Sequence, residues 1–107
     1  MSSDDRLEIL INQAEELVQA KKYEEAIAVF EQILIDFPEN ARIWSKYGHS
    51  LALGKIDRHE EVYIALETSL KIEPDNLIIL NQYGNALTLN GQYEKALQLF
   101  ERSLQIQ

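Results

Sequence analysis

The sequence predicts an all-α protein made of stacked helix-turn-helix repeats. Two near-copies of a turn segment, Phe37-Pro38-Glu39-Asn40 and Glu73-Pro74-Asp75-Asn76, lie 36 residues apart. Between them, apolar residues recur at intervals of three and four, the spacing that places them on one face of a helix. Internal repetition at a period of about 34 residues is typical of a helical array in which each repeat packs on its neighbours.

The first two helices are predicted from apolar stripes of different width. The stripe of the first helix is narrow, whereas that of the second helix, which starts near Tyr23, covers a wide arc. A helix with so wide a stripe packs on two neighbours, its own partner and the first helix of the next repeat. The narrow stripe comprises Leu7, Leu10, Ala14, Leu17 and Val18, and the wide stripe Ala26, Ile27, Val29, Phe30, Ile33 and Leu34.

The two turn segments predict where later helices stop and start. Proline cannot continue a helix, and an asparagine after it can cap the free N–H groups of the next helix, so Asn40 and Asn76 are predicted N-caps. The same periodicity predicts the four remaining helices over Ala41–Leu53, His59–Ile72, Leu77–Leu89 and Tyr93–Ile106.

The repeat boundaries follow from two offsets. Tyr47-Gly48 recurs as Tyr83-Gly84 after 36 residues, whereas the interval from Leu10 to Trp44 is shorter by two positions. The consistent solution is a single domain, 1–107, with repeats at 7–40, 41–76 and 77–107, and two additional residues in the turn 54–58 of the second repeat. Added turn length costs little entropy, so the insertion is either merely tolerated or makes Ile56 at its tip a contact point.

Each repeat resembles the tetratricopeptide repeat, whose pattern is Trp, Leu-Gly and Tyr on the first helix and Ala, Phe and Pro on the second. The resemblance implies three repeats stacked as a right-handed superhelical α-solenoid. It also implies that the first helices line a concave groove that binds a peptide or a helical segment of a partner protein. The matching residues are Leu10, Ala14, Leu17, Ala26, Phe30 and Pro38 in repeat one; Trp44, Tyr47, Gly48, Leu51, Val62, Leu66 and Pro74 in repeat two; and Leu80, Tyr83, Gly84, Leu87, Ala96 and Phe100 in repeat three.

Small residues in the middle of the first helices predict close helix packing. A mid-helix glycine costs about 1 kcal/mol relative to alanine, so close approach of the paired helix is the expected compensation. The small positions are Ala14, Gly48 and Gly84, and the residues expected opposite them are Ala26, Val62 and Ala96.

Composition excludes several classes of protein. The chain has no cysteine, which excludes disulfides and thiolate metal sites, and a net charge of −8 opposes nucleic-acid binding. Residues 1–40 contain ten Asp or Glu and three Lys or Arg, which gives this segment a charge of −7. Its acidic surface is either solvated only or a docking site for a basic partner. No apolar run approaches the length of a membrane span and the N-terminus does not resemble a secretory signal, which indicates a cytoplasmic protein.

Residues for catalysis or for a cofactor do not converge in the sequence. His49 and His59 lie ten residues apart, and neither has a second metal ligand at helical spacing. The carboxylates of adjacent glutamates such as Glu60-Glu61 point in different directions on a helix and do not converge. The four glycines do not form a phosphate-binding loop. We therefore expect no enzyme activity, no catalytic residue, no metal site and no cofactor.

The expected groove residues lie one step off the packing stripe of the first helices. Asn81 and Asn85 are one turn apart, and their amides can both donate to and accept from a peptide backbone, although a role as solvated helix residues is equally compatible. Ile11, Val18 and Ile78 would offer apolar contacts. The expected set is Ile11, Glu15, Arg42, Ser45, His49, Ile78, Asn81, Asn85 and Thr88.

One binding role known in the resembled family does not fit these residues. Members that clamp acidic C-terminal tails of chaperones use Lys, Asn and Arg in the groove. The matching positions here hold Ile11, Glu15, Lys46, Ile78 and Gln82, of which only Lys46 is cationic.

The last helix carries an apolar stripe without a following helix in this sequence to cover it. A repeat array usually ends in a helix with a polar outer face. This indicates an alternative function as an assembly element, either by docking to further repeats or another domain, or by two-fold pairing with a second copy. The residues expected to self-associate are Leu97, Leu104 and Ile106.

Overall fold

A computed structural model describes residues 2–54 and 57–107, and within them the chain is all-α. The predicted bounds of the last four helices and the start of the second are confirmed. The helices are α1 (Ser3–Gln19), α2 (Tyr23–Asp36), α3 (Ala41–Leu53), α4 (His59–Ile72), α5 (Leu77–Leu89) and α6 (Tyr93–Ile106).

Side-chain caps explain where three of the helices begin. The Asn40 side chain accepts a hydrogen bond from the Ile43 amide (3.1 Å), and Asn76 accepts from the amide of Ile79 (3.2 Å), which confirms both predicted N-caps. Helix α1 begins at Ser3, one turn before the apolar stripe, because the Ser2 hydroxyl caps it.

The helices pack as three antiparallel pairs, α1 with α2, α3 with α4 and α5 with α6. Helix α3 also contacts α2 and α5, so that the first helices of the second and third pairs lie side by side. The array measures 43 × 28 × 21 Å. Its core runs through all three pairs and includes the fully buried side chains of Phe30, Ile43, Leu51, Leu66 and Leu80.

The predicted close approach at the mid-helix glycines is confirmed, but the facing residues differ from those expected. A Cβ on Gly48 would lie 2.8 Å from Leu66 Cγ, and a Cβ on Gly84 would lie 2.6 Å from the Phe100 ring. The nearest side chains are thus one turn further along the second helix than the predicted Val62 and Ala96. Glycine is needed because a large apolar side chain, rather than a small one, fills the gap between the helices.

The turn that carries the insertion is only partly described. Ile56, the predicted contact point, lies outside the described residues. After the turn, Arg58 donates to Tyr47 Oη (3.1 Å) and to Glu31 Oε2 (3.1 Å), and it pairs with Glu61. Arg58 therefore connects helices α2, α3 and α4.

Candidate partner-binding groove

Two adjoining clefts cross the side of the array formed by α1, α3 and α5. The cleft between α1 and α3 has a volume of about 320 Å³, and the cleft between α3 and α5 about 500 Å³. Lys46 and Gln82 line both clefts, which makes them one continuous groove. The first cleft also includes Glu15, Val18, Gln19 and His49, and the second Arg42, Glu73, Asn76 and Ile78.

The charged groups of the groove neutralise one another. Lys46 Nζ lies 2.6 Å from Glu15 Oε1, and Arg42 Nη2 lies 3.6 Å from the same oxygen. The hydrogen bond from Lys46 lowers the pKa of the Glu15 carboxyl below its ordinary value, with smaller contributions from the charges of Lys46 and Arg42. Glu15 stays ionised at neutral pH and holds Lys46 across the cleft from α1.

A hydrogen bond fixes the orientation of Gln82 at the junction of the two clefts. Ser45 Oγ donates to Gln82 Oε1 from α3 to α5. Since this bond occupies the side-chain carbonyl, the amide NH₂ of Gln82 remains to donate to a bound carbonyl group. Gln82 is therefore a positioned hydrogen-bond donor in the middle of the groove.

His49 occupies the wall of the first cleft next to Lys46. Burial lowers the pKa of His49 below its ordinary value of 6.5, and the charge of Lys46 lowers it further. The imidazole is therefore neutral at physiological pH, when it can both donate and accept a hydrogen bond.

The low pKa of His49 predicts a loss of stability on acidification. The folded protein binds this proton less tightly than the unfolded chain, so stability falls as the pH drops through the unfolded pKa of about 6.5. We expect the His49→Gln variant to lose less unfolding free energy than the wild type between about pH 7 and about pH 5. Urea unfolding at each pH measures this, and parallel pH profiles for the two proteins would contradict it.

Ile11 and Ser45, which the sequence predicted for the groove surface, are buried. Each is only 1% exposed, yet Ser45 lines the second cleft, whereas Ile11 lines neither cleft. Ser45 lies where the next first helix packs, as its hydrogen bond to Gln82 of α5 shows. Ser45 thus supports the groove from beneath, and Ile11 belongs to the core.

The other predicted groove residues are accessible, but they do not all come together. Glu15, Arg42, His49 and Ile78 line the clefts, and Ile78 is 68% exposed. Three residues of α5 are exposed but line neither cleft: Asn81, Asn85 and Thr88. Asn81 has the same register as Ile11 and Ser45, so it remains uncovered because the described chain has no further first helix beside α5.

Lys46 and Gln82 are central to the groove. Both match groove positions of the resembled family, but the expected set of groove residues does not include them. Each follows directly after a predicted position, Ser45 or Asn81. Their place depends on the rotation between successive repeats, which brings Gln82 of α5 to Ser45 of α3 and Lys46 of α3 to Glu15 of α1. A search for opposite charges on the preceding first helix would have offered Glu15 as the partner of Lys46.

The outer face of α6 is apolar and exposed, as the sequence predicted. Leu97, Leu104 and Ile106 are 57%, 68% and 39% exposed. The counterparts of Leu97 and Leu104 in α2 are far less accessible, since Ile27 is 2% and Leu34 is 8% exposed. In α2 this surface is covered by α3, so the exposure in α6 comes from the missing neighbour and not from the helix itself.

The described residues show neither a metal-binding cluster nor a membrane span. Within residues 2–54 and 57–107, His, Asp and Glu do not gather in threes as a metal site requires. None of the six helices combines the length and the apolar character needed to cross a bilayer.

Solved structures of low sequence identity share this fold. The second tetratricopeptide repeat domain of Spaghetti (RPAP3), solved with the HSP90 peptide SRMEEVD, superposes with a TM-score of 0.79 at 20% identity over 94% of this chain and 92% of that one. A chain of the CopN-Scc3 complex superposes with a TM-score of 0.79 at 20% identity, over 99% of this chain and 61% of that one. MamA from Desulfovibrio magneticus RS-1 superposes with a TM-score of 0.81 at 15% identity, over 97% of this chain and 58% of that one. The chain therefore spans about three fifths of the length of the CopN-Scc3 chain and of MamA.

Two segments of the sequence match descriptions of a known repeat family. Residues 7–50 and residues 65–98 each match the tetratricopeptide repeat, and together they cover well over half of the chain. No curated protein matches the sequence significantly. The matched segments, the paired helices and their stacking agree, and the chain belongs to the tetratricopeptide repeat family.

Proposed function

We propose that this protein binds a peptide or a helical segment of a partner protein in the groove formed by α1, α3 and α5. The observation that carries the proposal is the continuity of the two clefts through Lys46 and Gln82. A groove of this kind has polar groups at fixed positions and an apolar contact at Ile78, which is the composition of a recognition site. Its residues are suited to binding rather than to catalysis.

The charges of the groove favour a partner segment of mixed or low charge. Lys46 and Arg42 are both engaged by Glu15, so a strongly acidic ligand would have to displace the Glu15 carboxylate. The peptide bound to Spaghetti (RPAP3) is acidic, and the pairing of Lys46 with Glu15 is a reason not to transfer that ligand class. We infer a segment that presents a backbone carbonyl to Gln82 and an apolar side chain to Ile78.

A peptide selection tests the proposal without knowledge of the partner. Peptides selected from a random displayed library against the wild-type chain are expected to bind the Lys46→Ala variant about tenfold more weakly. The matched control is Lys71→Ala, which removes the same charge from the exposed side of α4. Equal affinity for the wild type and Lys46→Ala would refute groove binding.

The exposed asparagines of α5 are tested separately. We propose that Asn81 and Asn85 extend the groove along the edge of α5, where their amides contact the backbone of the bound segment. The double variant Asn81→Ala and Asn85→Ala is then expected to weaken the selected peptides, though less than Lys46→Ala does. Unchanged affinity would limit the binding site to the two clefts.

A second candidate function is assembly through the last repeat, which is favoured by the exposed apolar face of α6. Leu97 and Leu104 are more than half exposed, whereas their counterparts in α2 are covered by a helix. Exposed apolar patches of this kind mark interaction sites. Under this proposal, the described chain contributes the face and a second protein surface covers it.

A further inference from the structure

We propose that the face of α6 is covered by helix α1 of a second copy, so that the molecules stack head to tail. The inference rests on the second proposed function, assembly through the last repeat, and specifies which surface completes it. It is independent of ligand binding in the groove. The argument uses the two junctions between repeats within the chain as templates for the junction between chains.

The two internal junctions share the same polar contact. At the junction of α2 and α3, Tyr47 Oη lies within hydrogen-bond distance of Glu31 Oε2 (3.3 Å) and also of Glu61 Oε2 in its own repeat (3.2 Å). At the junction of α4 and α5, Tyr83 Oη donates to Glu67 Oε1 over 3.2 Å. The acceptors are 36 residues apart, as are the donors. A glutamate on the second helix and a donor on the following first helix are thus a repeated feature of the stacking.

The first helices of the two junctions also share a buried isoleucine one turn before the donor. Ile43 precedes Tyr47 by four residues, and Ile79 precedes Tyr83 by four, so in each pair the two side chains lie on one face. These isoleucines are 0% and 1% exposed. The first helix therefore contributes an isoleucine and a hydrogen-bond donor, in a fixed order, to each junction.

Helix α6 presents the acceptor half of this junction without a helix packed on it. Glu101 lies one repeat period after Glu67, in the register of the acceptor, and is exposed. Leu97 and Leu104 lie beside it in the register of Ile27 and Leu34, which are covered by α3. Helix α6 therefore carries both the acceptor and the apolar residues of the junction.

Helix α1 presents the complementary half. Ile9 lies one repeat period before Ile43, and Gln13 lies the same interval before Tyr47, so both have the register of the first-helix junction residues. Ile9 is 46% exposed, whereas its two counterparts are buried. Gln13 is exposed, and its amide NH₂ can donate to the Glu101 carboxylate as the tyrosine hydroxyls do at the internal junctions.

A two-fold pairing of α6 with α6 is less favourable than the head-to-tail arrangement. It would not supply the donor that α1 presents to the Glu101 carboxylate, and a carboxylate buried without a partner is costly. It would also leave Ile9 uncovered. The head-to-tail contact covers both exposed surfaces and, because its two halves differ, it can continue into an open series of molecules.

The test uses two variants, each of which disables one half of the contact. Ile9→Glu leaves the α6 face intact, and Leu104→Glu leaves the α1 face intact; both positions are exposed, so both proteins should fold, which circular dichroism verifies. Sedimentation velocity of the 107-residue wild type up to about 1 mM is expected to show a mass that rises with concentration beyond a dimer. Each variant alone is expected to associate at least about tenfold more weakly.

Mixing the two variants distinguishes the arrangements. In a head-to-tail contact, the α1 face of Leu104→Glu fits the α6 face of Ile9→Glu, so the mixture forms a dimer of one copy of each and stops there. The substitutions have the same mass, so one variant is labelled with ¹⁵N and native mass spectrometry reads the composition of the dimer. Ile35→Glu, at a 79% exposed site outside both faces, is the control that should associate like the wild type.

Three results would overturn the inference in distinguishable ways. A wild type that stays monomeric would overturn both the head-to-tail contact and assembly through the last repeat. Association that Leu104→Glu abolishes and Ile9→Glu leaves unchanged would retain assembly through α6 but exclude α1 as its complement. Loss of association in both variants without recovery in the mixture would likewise exclude the pairing of α1 with α6.

Discussion

The Phe30→Ala variant is expected to lose about 3–5 kcal/mol of unfolding free energy, a large fraction of the stability of a domain of this size. Phe30 is 0% exposed and belongs to the core of α2, which contacts both α1 and α3. Its removal leaves a cavity between two repeats and not only within one. Urea unfolding followed by circular dichroism measures the loss.

The matched control for Phe30 is Phe100, which occupies the same register in α6. Phe100 is only half-buried, because no helix packs on the outer side of α6 in the described chain. We therefore expect Phe100→Ala to cost about 2 kcal/mol, the value of a partly buried aromatic side chain. Equal losses for the two variants would contradict the view that packing between repeats supplies much of the stability.

The Gly48→Leu variant is expected to lose about 3 kcal/mol because it overfills the gap between α3 and α4. A Cβ added at Gly48 would lie 2.8 Å from Leu66 Cγ and 3.2 Å from Ala65 Cβ, and Leu66 and Ala65 are both 0% exposed. Neither neighbour can move without displacing the core of the second repeat. Thermal and urea unfolding measure the effect.

Gly84→Leu provides the graded comparison for Gly48→Leu. The side chain that a Cβ on Gly84 would meet is the ring of Phe100, which can shift toward the open side of α6. We therefore expect a smaller loss, of about 1–2 kcal/mol. A larger loss at Gly84 than at Gly48 would show that the open side of α6 does not relieve the strain.

The helices were predictable because their signals are local. Asn40 and Asn76 cap the helices that follow them, and the prolines two residues earlier mark the ends of the preceding ones. The apolar stripe of α6 was also predictable from its periodicity, and Leu97 and Leu104 are exposed in the structure. Ser2 was missed as the cap of α1, because the apolar stripe begins only at Leu7.

The groove was less predictable because it depends on the rotation between repeats. Sequence periodicity places Ile11 and Ser45 off the packing stripe of their own pair, but both are buried, and Ser45 bonds to Gln82 of the next first helix. The same rotation brings Lys46 to Glu15 and Gln82 to Ser45. A helical period describes one helix, whereas these contacts are set by how successive helices cross.

The central claim, that partners bind in the groove between the first helices, is tested most directly by NMR. A selected peptide titrated into ¹⁵N-labelled protein is expected to shift the amide signals of the groove residues first, above all those of Lys46, His49 and Gln82. Signals of the outward-facing residues of α2 and α4, such as Ile35 and Lys71, are expected to stay in place. Shifts confined to α2 and α4, or to the end face of α6, would contradict the account.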